Sequence, residues 1–89
     1  MHQSQKTLRS RLDEAAKQVT VGGQYRHYKQ AENIYCVLQL AVLEANNELC
    51  VIYQAQYGEG LTFVRQLVNW LETVEWEGQT VNRFSLIID

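Results

Sequence analysis

Ten consecutive residues, Ile34-Tyr35-Cys36-Val37-Leu38-Gln39-Leu40-Ala41-Val42-Leu43, alternate with a period of two. Ile34, Cys36, Leu38, Leu40 and Val42 form an unbroken apolar row, and Tyr35, Val37, Gln39, Ala41 and Leu43 form a mixed row between them. Successive side chains of a strand point to opposite faces, so the pattern predicts one long strand with its even row on the core. Asn46-Asn47 follows, a pair suited to a tight turn, and residues 48–56 alternate again. A hairpin of roughly 34–44 and 48–56 therefore organises whatever forms around it. A turn centred on Asn46-Asn47 pairs Leu43 with Cys50 and Cys36 with Tyr57. It also brings Val51, Tyr53 and Ala55 to the core face and puts Cys50, Ile52 and Gln54 opposite.

The elements around this hairpin are shorter. Leu8, Leu12, Ala15 or Ala16, and Val19 recur at helical spacing, so residues 4–19 read as a helix with Ser4 as its cap and Gly22-Gly23 beyond its end. The stripe is narrow and half alanine, and an isolated helix of this length is marginal in water. It has to lean on the rest of the chain or on a partner, a second copy included. Gly58-Glu59-Gly60 suits a turn needing positive φ, and Leu61–Arg65 resumes as a short strand. Leu67, Trp70, Leu71 and Val74 return to helical spacing for a turn or two. Glu77-Gly78 then separates residues 74–76 from residues 81–87 as a last hairpin.

Five or so short antiparallel strands, an N-terminal helix and a short helical turn before the last hairpin make a mainly β chain. Closure into a small SH3-like barrel, or β-roll, would remove the exposed edges of so short a sheet. The division expected is a helical extension over residues 1–20 and a barrel domain over residues 21–89.

Chemistry is sparse. His27 is the one histidine inside the folded region, and no acidic residue lies close to it in sequence to orient it as a general acid or base. A metal site would need His27, His2, Cys36 and Cys50 to converge. No paired-ligand spacing occurs, and the hairpin register sets the cysteines about 23 Å apart at ~3.3 Å per residue, on opposite faces. Two free thiols, no metal and no cofactor are the expectation. The apolar run is too short to span a bilayer, which takes about 20 residues, and no secretory pattern opens the chain. A cytoplasmic domain without membrane contact is the default.

Charge is uneven along the chain. Residues 1–29 hold six cations against two acids, a net +4, and residues 30–89 hold two cations against eight acids, a net −6. A basic front on an acidic body fits docking within or between chains as readily as a nucleic-acid partner.

One block combines aromatic and cationic groups at strand spacing: Tyr25-Arg26-His27-Tyr28-Lys29, answered by Tyr53-Gln54-Ala55-Gln56-Tyr57-Gly58 and Phe63-Val64-Arg65. Alternation puts Tyr25 and His27 on one face and Arg26 and Tyr28 on the other, so the block is not all buried. Arg26, Tyr28 and Arg65 are the candidates for a shared exposed patch. The same block, with Val64-Arg65, Gly78 and Arg83-Phe84, resembles a bacterial family known only as domain of unknown function 1653, over residues 21–87. That resemblance implies a small SH3-like β-roll with no assigned activity. Phe63 stands where the family pattern expects tryptophan, and Gln66 where it expects proline.

A non-catalytic binding or adaptor module is the reading these residues favour, with Tyr25, Arg26, His27, Tyr28, Tyr57 and Arg65 as its recognition surface for a peptide or protein. The alternative is a single-stranded nucleic-acid binder using the same patch with Lys6, Arg9, Arg11 and Lys17. An enzyme centred on His27 and Glu59 is the weakest reading, for want of paired titratable groups.

Overall fold

The computed structural model describes residues 4–88; His2 lies outside them. Helix α1 runs Gln5–Ala15, and Ser4 caps it by accepting a hydrogen bond from the Thr7 N–H on its Oγ at 3.1 Å. Seven strands follow: β1 Gln24–His27, β2 Ile34–Leu43, β3 Glu48–Ala55, β4 Thr62–Gln66, β5 Thr73–Trp76, β6 Gln79–Asn82 and β7 Phe84–Leu86. A single helical turn, α2 (Leu67–Trp70), lies between β4 and β5.

The mainly antiparallel β architecture, the N-terminal helix and the short helical turn before the last hairpin are all present. The barrel is not closed. Five strands form one sheet in the order β4-β3-β2-β1-β7, with β4 and β7 left as edges, while β5 and β6 form a separate two-stranded ribbon. The cause lies at Arg83, within the stretch 81–87 expected as one strand. Its N–H extends the ribbon by donating to the Glu72 carbonyl, and its own carbonyl accepts from the Tyr28 N–H of the large sheet. The chain thus changes sheet at one residue, and Phe84 enters the core as the first residue of β7.

The central hairpin forms as expected, but its register differs. The loop has four residues, 44–47, because the Leu43 carbonyl accepts from both Asn46 and Asn47 N–H, and Asn47 adopts φ +60°. Leu43 therefore pairs with Glu48, and Ala41 with Cys50. A β-bulge then shifts the ladder between Val37 and Gln39: Gln39 pairs with Ile52, whereas Val37 pairs with Tyr53. Paired residues share a face, so the core side of β2 is Leu40 beyond the bulge but Val37 and Tyr35 before it. The even row therefore does not face the core along its whole length: Leu40 does, but Leu38, at the bulge, is exposed, and Val37 is fully buried in its place.

The cysteines move with the register. Cys36 pairs with Gln54, which puts it on the same face as Cys50 and about 13 Å along the ladder at ~3.3 Å per residue, not on the opposite face at ~23 Å. Both are free thiols. Burial and the neighbouring Glu48 carboxylate push the Cys50 thiol above its ordinary pKa.

One face of the large sheet carries the core. Val37 and Val51 are joined there by Tyr25, Tyr53 and Phe84, with Val19 closing over them from the chain beyond α1 and Trp70 from α2. Trp70 stacks on Phe84 with ring centroids 3.8 Å apart and planes within 5°, and meets Tyr25 and Tyr53 edge-on. The helical extension leans on its own sheet through Ala15 and Val19, and the Arg11 guanidinium donates to the Asn47 carbonyl at 2.9 Å. Ion pairs among the described residues include Lys17–Glu14 within the helical extension and Arg83–Glu72. No helix among those residues is long and apolar enough to cross a membrane.

Candidate functional site

The core face is covered at only one end. The α1 extension and α2 lie over the part of the sheet near Leu40, Val51 and Trp70, whereas the part bounded by His27, Tyr35 and Tyr53 opens to solvent as a cleft of about 440 Å³. Register explains who lines it. His27 pairs with Phe84, Tyr25 with Tyr35, Tyr35 with Ala55, and Tyr53 with Phe63, so these side chains point to the same side from five adjacent strands. Arg65, paired with Val51, joins that side from the edge strand. Trp76, on the detached ribbon, supplies the far wall.

The floor is aromatic and its rings hold one another in place. Tyr35 meets Tyr53, Tyr57 and Phe84 edge-on at 5.5 to 6.0 Å, and His27 sits edge-on to Phe84 at 5.2 Å. Tyr28 continues the row from His27 to Trp76, at 4.6 and 5.3 Å. The Tyr35 and Tyr57 hydroxyls are 2.7 Å apart. Burial, that hydrogen bond and the neighbouring phenols push the Tyr35 hydroxyl up to about 12, against a smaller opposing pull from Arg65. The Tyr35 phenol is therefore a neutral hydroxyl at pH 7.

The rim is cationic. Arg65 lies with its guanidinium carbon 5.2 Å from the Phe84 ring centre, donates from Nε to the Tyr53 hydroxyl at 3.3 Å, and bonds Asn69 Oδ1 through Nη1. Its Nη2 keeps no partner among the described residues. Lys29 reaches the Tyr28 ring at 6.0 Å and forms no ion pair there either. Arg83, by contrast, is neutralised by Glu72 at 3.0 Å. His27 accepts from the Lys29 N–H on Nδ1, which leaves its proton on Nε2. Burial first, then the charges of Arg65, Arg83 and Lys29, hold the imidazole below its ordinary pKa, so it is neutral at pH 7. No carboxylate is among the groups acting on it.

The sequence-derived candidates divide accordingly. His27, Tyr28, Tyr57 and Arg65 stand in or beside the cleft. Tyr25 belongs to the core: it is buried under Trp70, and its hydroxyl accepts from the Thr20 N–H at 2.8 Å. Arg26 points to the opposite face, where it donates to the Ala31 carbonyl. The grouping of Arg26 with Tyr28 and Arg65 is thus corrected, because Arg65 shares the face of His27. Tyr28 lies past the end of β1, so strand alternation no longer governs it. Glu59 lies in the Gly58–Gly60 turn and does not line the cleft. Lys29, Tyr35, Trp76 and Phe84 were missed; their convergence depends on long-range pairing and on the chain changing sheets at Arg83.

The basic residues of α1 lie elsewhere. Arg11 contacts the loop at the far end of β2, about eight residues or ~26 Å along the strand from Tyr35. No group of three or more His, Cys, Asp or Glu side chains able to hold a metal occurs among the described residues.

Comparison with known proteins agrees with this architecture. A profile described as "protein of unknown function (DUF1653)" matches residues 23–86. The crystal structure of a protein belonging to DUF1653 from Bordetella bronchiseptica superposes with a TM-score of 0.68 at 35% sequence identity, covering 79% of this chain and 90% of that one. No curated protein matches. With most of its length matched, α1 excepted, the chain belongs to the DUF1653 family.

Proposed function

We propose that this domain is a non-catalytic recognition module, cytoplasmic in location, that holds a peptide or protein segment in the cleft between the large sheet and the β5–β6 ribbon. The observation that carries the reading is the pairing of an aromatic floor with a rim whose two cations, Lys29 and Arg65, have no carboxylate partner. Aromatic rings and arginine supply much of the energy of peptide-binding surfaces, because they bury large areas at little entropic cost. A general acid or base would need an orienting partner, and the charges around His27 are all cationic.

Support for a single-stranded nucleic-acid partner is weaker. Its backbone needs a continuous positive track. Here the α1 cations sit at the other end of β2 from the cleft, and residues 30–89 carry a net −6.

The test is an amide and indole chemical-shift titration of isotopically labelled protein, with peptides selected from a random library and with an oligothymidylate. The reading expects selected peptides to move His27, Tyr35, Tyr53 and Trp76 together, and Trp76→Ala to abolish the effect. It fails if the oligonucleotide moves the cleft and α1 resonances together, with an affinity that falls steeply with salt.

A further inference from the structure

The cleft offers donors without acceptors to match. Lys29 Nζ, Arg65 Nη2 and His27 Nε2 have no hydrogen-bond partner among the described residues, and the hydroxyls of Tyr35 and Tyr53 are already engaged. Cations facing a partly buried cavity without a counter-charge repel one another, and an anion placed between them relieves that repulsion. The cavity, at about 440 Å³, is far larger than a bare anion, and the space not claimed by charge is bounded by Trp76, Phe84 and the tyrosine rings. A ligand that fills it carries its charge at one end and a flat apolar group at the other.

On the recognition reading above, we infer that the cleft is a receptor for an aromatic carboxylate. The carboxylate lies against Lys29 and Arg65, and the ring lies against Trp76. Such a group comes from two sources, the C-terminal aromatic residue of a peptide or a free aromatic acid. A phosphate ester fits less well. Arg65 has committed Nε and Nη1 to Tyr53 and Asn69, which weakens the planar fork that phosphate recognition exploits. The acidic remainder of the chain also opposes a dianion more than a monoanion.

The groups around His27 make its titration a reporter of the bound charge. Arg65 on β4, Arg83 before β7 and Lys29 after β1 all oppose its protonation, and the Tyr35 phenol, pushed up to about 12, stays neutral beside it. A carboxylate beside those cations offsets their field and raises the imidazole pKa. Binding then takes up protons, so affinity increases as pH falls through the bound-state pKa, until the ligand itself protonates.

The experiment measures affinity and the His27 imidazole titration by NMR, with four probes on the full chain: N-acetylphenylalanine, N-acetylphenylalaninamide, benzoate and phenyl phosphate. The inference expects N-acetylphenylalanine or benzoate to bind at least about tenfold more tightly than the amide and to raise the His27 pKa. Lys29→Gln should remove most of that preference and Lys29→Arg restore it. Lys29 is exposed, with the Tyr28 ring as its side-chain contact, so neither variant endangers the fold. Equal binding of acid and amide overturns the carboxylate inference and leaves the peptide reading standing. Benzoate binding without either phenylalanine derivative sustains the inference and removes the peptide reading. Tighter binding of phenyl phosphate than of both carboxylates overturns the inference, as does the absence of any cleft shift with all four probes.

Discussion

Trp70 and Trp76 lie six residues apart and do opposite things. Trp70 is 3% exposed, stacked on Phe84 and flanked edge-on by Tyr25 and Tyr53; Trp76 is 37% exposed and touches the large sheet through one edge contact with Tyr28. The difference comes from the elements that carry them. The single turn of α2 is held against β3 and β4 by the strand preceding it, so Trp70 has a fixed place in the core. Trp76 ends a two-stranded ribbon belonging to no larger sheet, and such a ribbon is marginally stable by itself. Its turn, Glu77-Gly78, has positive φ at both residues, as a tight two-residue hairpin requires, and spends a glutamate where asparagine or glycine is more comfortable. One tryptophan is therefore locked into the fold, and the other stands on the element with the fewest constraints.

Exchanging each for alanine tests that contrast most severely. Trp70→Ala should cost about 3–5 kcal/mol in chemical denaturation, since it removes a stacked, fully enclosed ring that the surrounding residues cannot replace. That is a large part of the stability of an 89-residue chain. Trp76→Ala should cost about 1 kcal/mol, the order of a single edge contact between rings. Equal losses would mean that the ribbon is part of the core and that the cleft wall is rigid.

Arginines sharpen the same division on a smaller scale. Arg65→Ala should destabilise by about 1–3 kcal/mol, because it leaves the part-buried Tyr53 hydroxyl and Asn69 without their donor and uncovers Phe84. Arg26→Ala should stay within about 0.5 kcal/mol, since its one hydrogen bond lies on the exposed face. Thermal melts of the two variants decide it. If both are silent, Arg65 serves the cleft alone and not the fold beneath it.

How much of this was legible in the sequence follows from the range of the interactions. The helix, the central hairpin, the Ser4 cap and the turns at Gly58–Gly60 and Glu77-Gly78 rest on local patterns, and those were readable. The β-bulge at Leu38 was not, because Leu38 extends an apolar row and nothing in the alternation marks the break. One unpaired residue then exchanges the core face of half a strand, and Val37 and Tyr35 move from the outside to the inside. The four-residue loop shifted the register further, since the Leu43 carbonyl closes the turn two residues earlier than Asn46-Asn47 alone would place it. The site was half legible for the same reason. His27, Tyr28, Tyr57 and Arg65 stood out by type, but their partners Tyr35, Phe84 and Trp76 depend on which strands are neighbours. The face of Arg65 depends on a ladder three strands away from that of Arg26.

The smallest effect concerns the edge where the covered and open halves meet. Gln66 ends β4 and precedes α2 with φ −61° and ψ 141°, a conformation that proline adopts without strain. Its N–H is not needed by the ladder. The Ala55 N–H donates to the Leu61 carbonyl, so that pair is hydrogen-bonded, and alternation makes the Cys50–Gln66 pair a non-bonded one whose β4 N–H points to solvent. Arg65, the residue before it, is already extended, as a residue preceding proline prefers. Gln66→Pro should therefore stabilise the domain by about 0.4–1 kcal/mol, by restricting the unfolded chain. The opposing loss is the exposed contact between the Gln66 amide and the Glu48 carboxylate, which is worth little in water. A rise of a few degrees in the melting temperature with unchanged cleft resonances is the expected outcome. A fall would mean that the Gln66–Glu48 contact, rather than the backbone, holds the exit of β4 and so the seat of Arg65.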